Sequence, residues 1–441
     1  MFSVAVIVGA TATAWSDDQI RPGERGAQVN CFIGTGGLSY LCGNTFPGAT
    51  LPFGMVRLSP DTVSTDGKRA TNMSGYYYHD DRILGFSHTR LSGTGAVDGG
   101  NFLVLPGLTP GTPPSNRQGL NLKLNHRDET AWPGYYRHRF PEKNLIAELT
   151  ATRRVGVHRY TFTGDEAPRL AILVSSVLGK GSTQESQLRI HPDKQELEGS
   201  VRTFGTFAKR YGGLKTYFVA RCNRRFANFG TWQGETFTER SDSAAGDDLG
   251  AELVFETGEN QIVELKLAIS YVSIDNARAN LDAEAGDFDF DQIHERARAE
   301  WEEKLGRILV TGGSPQEQTI FYTSLYHSLI MPTVFSDVNG QYFGFDNKVH
   351  QATGFDFYTD MSLWDTFRTT HPLFTLIAPA HQARFSGLVG RDRQTGRLSA
   401  SLAFRERLLE FHVRDACRFR RRGILSGKES VISMSRPPMR R

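Results

Sequence analysis

Apolar and polar residues alternate with period two through much of the stretch from about residue 28 to residue 272. In QIVELKLAISYV, Val263, Leu265, Leu267, Ile269 and Tyr271 fall on one side and Glu264, Lys266, Ala268 and Ser270 on the other. That pattern predicts a strand with one buried face. Shorter runs of the same kind occupy 154–162, 169–176, 216–222 and 251–256, punctuated by Gly, Asn, Asp and Pro. Many short strands with no helical period between them predict a β-sandwich.

The period lengthens near residue 287. In DFDFDQIHERARAEWEEKLGRI, Ile293, Ala297, Trp301 and Leu305 recur every four residues, which predicts an amphipathic helix with a charged outer face. Asp289 is placed to cap it, with Gln292 three positions on. A second helix is predicted in SPQEQTIFYTSLYHSLIMP: Ser314 is the cap, Pro315 the first helical residue, Glu317 the partner in a capping box and Pro332 the stop. A third helical segment covers SLWDTFRTTHPLFTLI, interrupted or kinked at Pro372. No internal repeat is visible.

Composition adds two points. The 45 glycines in 441 residues fit a turn-rich β region, and the length allows more than one domain. The net charge of +3 is unevenly placed: residues 383–441 carry +10, with 14 Arg, and the remainder carries −7. A basic tail can be a nucleic-acid arm. No apolar run is long enough for a membrane span. Residues 1–14, MFSVAVIVGATATA, end in Ala-x-Ala like a secretory signal peptide but lack a basic start; a disordered or strand-like terminus is the alternative. Cys31, Cys42, Cys222 and Cys417 lack metal-ligand spacing, and Cys31 and Cys42 could pair in an exported protein.

Two clusters could carry chemistry. Trp364-Asp365-Thr366-Phe367-Arg368 sets an acid and a base three residues apart, on one face if the segment is helical. Beside an aromatic, such a pair can grip a sugar: Trp stacks on the ring while Asp and Arg bond adjacent hydroxyls. On the residues alone, a surface ion pair beside a core Trp is the plainer reading. The second cluster runs from Gly85 to Gly95, GFSHTRLSGTG. Its small residues allow close backbone approach to a ligand. His88 can bond a sugar hydroxyl, bridge two domains, or be a satisfied histidine in a turn-rich segment. No Gly-Lys-Ser/Thr follows, so this is not a phosphate loop. DVNGQYFG at 337–344 reads as a turn, with too few acids for an EF-hand calcium loop.

Taken together, GNTFPGATLPFGMVRLSPD (43–61), GYYYHDDRILGFSHTRLSGTGAVDGGNFL (75–103) and SLWDTFRTTHPL (362–373) resemble glycoside hydrolase family 92 over roughly residues 30–379. The resemblance implies a two-domain β + α protein: an N-terminal β-sandwich, a helical linker, and the incomplete start of an (α/α)6 barrel. On that reading residues 1–27 are a leader, 28–274 the sandwich, 275–310 the linker, 311–380 the barrel's first part and 381–441 an aberrant tail. It implies a secreted or periplasmic, calcium-dependent, inverting exo-α-mannosidase acting on mannose-containing glycans. It also places Asp365, Arg368, Trp364 and His88 in the mannose subsite. Arg90 stands where the family usually has a second His.

The general acid (a Glu), the general base (an Asp) and most calcium ligands are expected in a C-terminal part missing here. The abrupt switch to Arg suggests a frameshift near 379–384 rather than an arm, so nucleic acid is not an expected partner. A non-catalytic carbohydrate-binding remnant is the alternative function.

Overall fold

The computed structural model describes residues 21–37, 42–65, 73–107, 122–258, 261–286 and 289–392. The leader 1–14, Cys417 and most of the Arg-rich tail lie outside these residues. Residues 49–270 build two antiparallel sheets of nine strands each. Sheet A runs, in spatial order, Ala49–Thr50, Arg57–Val63, Arg82–Ser87, Leu103–Pro106, Arg169–Leu173, Leu249–Phe255, Phe226–Gln233 and Thr236–Glu239, with Leu122–Lys123 beside Arg82–Ser87. Sheet B runs Ser243–Gly246, Ser182–His191, Glu196–Phe204, Leu214–Cys222, Ile262–Ser270, Val155–Phe162, Leu145–Ala151, Tyr135–Phe140 and Glu129–Trp132. Their inner faces share one core, with Phe86, Val104, Ile172 and Leu253 from sheet A against Leu149, Tyr160, Phe218 and Leu267 from sheet B. The expected sandwich is therefore present.

The strand Ile262–Ser270 differs from its predicted form. Val263, Leu265, Leu267 and Ile269 are buried as expected, but Lys266, Ala268 and Ser270 on the opposite side are buried too. The cause is a helix the periodicity did not reveal. Helix α1, Ile274–Ala285, starts on Ser273, whose hydroxyl accepts the Asn276 N–H. It lays Ala277, Leu281 and Ala285 over Val155, Val157, Val219 and Ala268 on the outer face of sheet B. Lys266 spends its ammonium on the Ala285 carbonyl at the helix end, where the partial negative charge of the terminus favours a cation.

Helix α2, Phe290–Leu305, follows the sequence reading closely. Asp289 caps it through the Gln292 N–H at 2.8 Å, and Ile293, Ala297, Trp301 and Leu305 are buried. Trp301 donates its indole N–H to the Thr50 carbonyl at 2.7 Å and packs on Tyr326, tying the helix to the sandwich. Helix α3, Pro315–Ser328, has the full capping box between Ser314 and Glu317. It ends at Ser328, short of Pro332.

Two short hairpins come next. Thr333–Val334 pairs with Tyr358–Thr359, and Gln341–Phe343 with Val349–Gln351. The third helical segment is three pieces: α4, Leu363–Thr366; α5, Thr370–Ile377; and α6, Pro379–Asp392. The break falls at 367–369, ahead of Pro372. Pro372 sits in the first turn of α5, where its missing N–H has no helical partner to lose.

Phe53 is the pivot between the sandwich and these helices. Its N–H donates to Leu329 O and its carbonyl accepts from the Val334 N–H, both at 2.9 Å. Its ring meets those of Tyr358, Phe374 and Phe385 edge-on.

Candidate functional site

The segment that presents Asp365 leaves the hairpin strand Tyr358–Thr359 through an unusual backbone. Asp360 (φ +62°) and Ser362 (φ +39°) both lie in the left-handed region although neither is glycine. Such conformations cost on the order of 1–3 kcal/mol each and persist where surrounding contacts over-determine them. The holding contacts come from the sandwich. Arg57 is buried and donates to Ile330 O at 3.2 Å, to Thr333 Oγ1 at 2.6 Å and to Arg90 O at 2.9 Å. Thr333 in turn donates to Asp360 Oδ2 at 2.7 Å. Burial lowers the proton affinity of the Arg57 guanidinium and the charge of Asp360 opposes that. An arginine 303 positions earlier in the chain thereby fixes the turn that leads into α4.

At the end of that turn Ser362 donates to Asp365 Oδ2 at 2.6 Å, and the Asp365 N–H bonds Ser362 O. Asp365 and Arg368 are both exposed, at the same corner of the fold. They do not share a helix face, because α4 ends at Thr366. No salt bridge joins them among the described residues. The Arg368 guanidinium lies over the ring of Phe367, 4.9 Å from its centre. Trp364 is in the first turn of α4, and its side chain lies outside the described set. The corner thus offers a carboxylate held by a hydroxyl and a planar cation, two groups suited to the hydroxyls of a sugar.

His88 is placed elsewhere. It is wholly buried between the two sheets, over Gly156, where an added Cβ would come within 2.6 Å of the imidazole. Its Nδ1–H donates to Phe102 O at 2.8 Å, and its Nε2 meets Nε2 of His158 at 3.0 Å. His158 Nδ1 accepts from the Tyr160 hydroxyl at 2.8 Å. Burial pushes His88 down to about 3 and His158 well below its ordinary range. The structure does not bring His88 to Asp365; it gives the ring no exposed surface from which to meet a ligand.

Arg90 is also interior. It donates to the carbonyls of Arg57, Ser59, Ser74 and Ser87 and lies 3.1 Å from Asp61.

The sandwich loop 92–98 borders the same seam. The Ser92 N–H contacts Met331 Sδ at 3.4 Å, and Asp98 accepts the N–H groups of Phe207 and Ala208 at 2.7 and 3.1 Å. Burial raises the pKa of Asp98, and the charge of Asp360 acts in the same direction. Sequence reasoning missed Arg57, Thr333, Asp360 and Asp98. The one local signal was a pair of short polar residues, Asp360 and Ser362, of the kind that tolerate or build unusual turns.

The calcium expectation finds no support in the residues present. Among the described residues no group of three or more His, Cys, Asp or Glu could hold a metal ion. Asp337 of the 337–344 turn is buried, and Ser270, Asn276 and Asn280 all donate to it at 2.7–2.8 Å. Donors aimed at a carboxylate repel a cation, so this turn does not fit calcium. Its role is to tie α1 to the hairpins. Cys31 and Cys42, whose pairing the sequence left open, do not form a disulfide: both thiols are free and buried. Cys31 is hydrogen-bonded to Tyr326, and burial raises its pKa to about 12.

Residues 28–270 match the glycosyl hydrolase family 92 N-terminal domain, and residues 276–402 match the glycosyl hydrolase family 92 catalytic domain. This match continues beyond residue 379, where the sequence resemblance was expected to stop, and α6 runs through that point to Asp392. Among solved structures, a family GH92 alpha-mannosidase from Bacteroides thetaiotaomicron is 32% identical with a TM-score of 0.76, over 84% of this chain and 50% of its own. A second, a family GH92 inverting mannosidase from the same organism, is 28% identical with a TM-score of 0.72, over 84% of this chain and 48% of its own. An uncharacterized secreted glycosidase of Arthroderma benhamiae is 24% identical over 77% of this chain and 45% of its own length. The chain therefore spans about half the length of the relatives it matches.

Proposed function

The chain belongs to glycosyl hydrolase family 92, and on that premise we propose that it serves the release of mannose from the non-reducing end of α-mannosides, with inversion. Asp365 and Arg368 form one wall of the mannose subsite, at the seam between the sandwich and the helices, and the family resemblance assigns Trp364 to the same subsite. His88 contributes from the interior, by keeping the strand end that leads to loop 92–98 in place. The observation that carries this reading is the presentation of Asp365: an exposed carboxylate, oriented by Ser362, behind two left-handed residues held from the sandwich. Backbone strain of that kind gathers at ligand sites.

Inversion uses two carboxyls about 6.5–9.5 Å apart, one as general acid and one as base for water. In this reading the Glu and Asp that fill those roles, the calcium ligands and the closure of an (α/α)6 barrel belong to the half of the relatives' length that the chain does not span. Export to the periplasm or beyond the cell suits a polymeric glycan substrate and the secreted relative. No described helix is long and apolar enough to cross a membrane.

The test is a paired measurement on the 441-residue chain: binding of methyl α-mannoside by calorimetry, and hydrolysis of an aryl α-mannoside. Asp365→Asn should weaken binding by roughly 10-fold or more, the loss of one charge-assisted hydrogen bond. Unchanged affinity would remove Asp365 from the subsite. Binding without hydrolysis is the result expected of the second reading, a carbohydrate-binding protein without catalysis.

A further inference from the structure

A polar cleft of about 460 Å³ opens at the far edge of the sandwich, between the last strand of sheet A and the first of sheet B. Its floor is the hairpin Phe226–Gln233 and Thr236–Glu239. In that ribbon Thr231 faces Thr238 and Gln233 faces Thr236 as direct cross-strand pairs. All four side chains line the cleft, and they form a two-by-two grid. Cross-strand neighbours stand about 5 Å apart, and residues two apart along a strand about 6.7 Å. This spacing is comparable to that of hydroxyls across one pyranose ring and between adjoining rings.

The chemistry of the grid is selective. Hydroxyls and a carboxamide both donate and accept, as sugar hydroxyls do. The side chains of Gln233, Thr236 and Thr238 have no hydrogen bond among the described residues, so their capacity is unspent. The opposite wall is Ser241, Ser243 and Ala244, and the whole lining carries no charge. Segment 231–249 bears five acids, among them Glu239 and Asp242, against Arg240 alone, a field that disfavours a polyanion.

The ribbon is also anchored. On its reverse face Trp232 is fully buried and packs on Phe237, with ring centres 5.3 Å apart. A preformed grid loses little conformational freedom when it binds. The lining contains none of Asp365, Arg368 or His88.

We propose that this cleft is an accessory binding site for a neutral oligosaccharide, separate from the seam that holds Asp365. Its assignment to mannose-containing chains rests on the function proposed above. It would hold a polymeric substrate while terminal residues are presented at the seam.

Native affinity electrophoresis of the full chain tests this, in gels containing yeast mannan, dextran or polygalacturonate. Mannan should retard the parent, and Thr236→Val/Thr238→Val should raise its apparent Kd roughly 5-fold or more. Valine keeps the β-branched shape, and Gln233→Ala, on an exposed side chain, is the second variant should the first fail to fold. Retention by dextran lost in the same variants would uphold a neutral-glycan cleft while overturning its link to mannose. Retardation by mannan lost in Asp365→Asn but intact in both cleft variants would overturn the cleft and leave the seam reading standing. A parent that no polysaccharide retards, or one whose polygalacturonate retention depends on Thr236 and Thr238, would also overturn it.

Discussion

Lowering the pH should remove stability from this fold through two histidines in its core. His88 and His158 form a directed chain in which every proton is placed: Tyr160 O–H to His158 Nδ1, His158 Nε2–H to His88 Nε2, and His88 Nδ1–H to Phe102 O. A further proton on His88 has no acceptor, and one on His158 forces the Tyr160 hydroxyl to turn its own proton away. The first sets two N–H groups against each other across 3.0 Å, and the second turns the Nδ1 of His158 into a donor facing that hydroxyl. Both side chains have no solvent exposure, and burial is the largest cause of their low pKa values, about 3 for His88 and lower than usual for His158.

An unfolded histidine titrates near 6.5. Below that pH the unfolded chain binds more protons than the folded one, so stability present above about 6.5 is lost as pH falls toward 3. At pH 5 His88 contributes a loss of about 2 kcal/mol, and His158, lowered by burial and by the charge of His88, adds to it in the same direction. The readout is proton uptake on unfolding in guanidinium at pH 5, in weak buffer. The parent should take up about two more protons than His88→Asn/His158→Gln, whose amides retain part of the hydrogen bonding. An uptake difference near zero would mean that the pair is already protonated when folded, and would refute the neutral chain. The difference between the two proteins isolates this pair from other buried histidines, such as His327, that are lowered by the same cause.

Two further outcomes follow from side chains that join distant parts of the chain. Trp301→Ala removes a fully buried indole and its bond to Thr50 O; it should cost about 3–5 kcal/mol, read as a lower urea midpoint, with Trp301→Phe losing less. Arg90→Leu removes the guanidinium beside Asp61 and four carbonyl contacts; breaking such a buried pair costs about 3–5 kcal/mol, and a thermal midpoint equal to that of the parent would contradict the interior role assigned to Arg90.

What could be read from the sequence was the chemistry that acts over one or two turns. Ser314, Pro315 and Glu317 announce a helix start because their partners are at most three residues away. Ile293, Ala297, Trp301 and Leu305 announce a buried stripe because a helix repeats locally. Helix α1 falls within the helical linker that the family resemblance implied for 275–310, but periodicity did not mark it, because its buried face is made of two alanines, one leucine and two asparagines, a weak contrast in any window. Lys266, Ala268 and Ser270 read as solvent-facing because a strand's alternation does not show which face the following helix folds back onto.

The candidate site divides the same way. The motif around Asp365 was visible as residue types, but its orientation depends on Arg57 and Thr333, 276 residues apart. A helix drawn through 362–377 put Asp365 and Arg368 on one face, whereas left-handed Ser362 and the stop at Thr366 separate them. His88 shows the converse. A histidine in a glycine-rich stretch suggested a ligand contact, and only the pairing of two sheets brings His158 to it. Residue type proposes a chemistry; whether the group meets solvent or another strand is decided by partners far away in the chain.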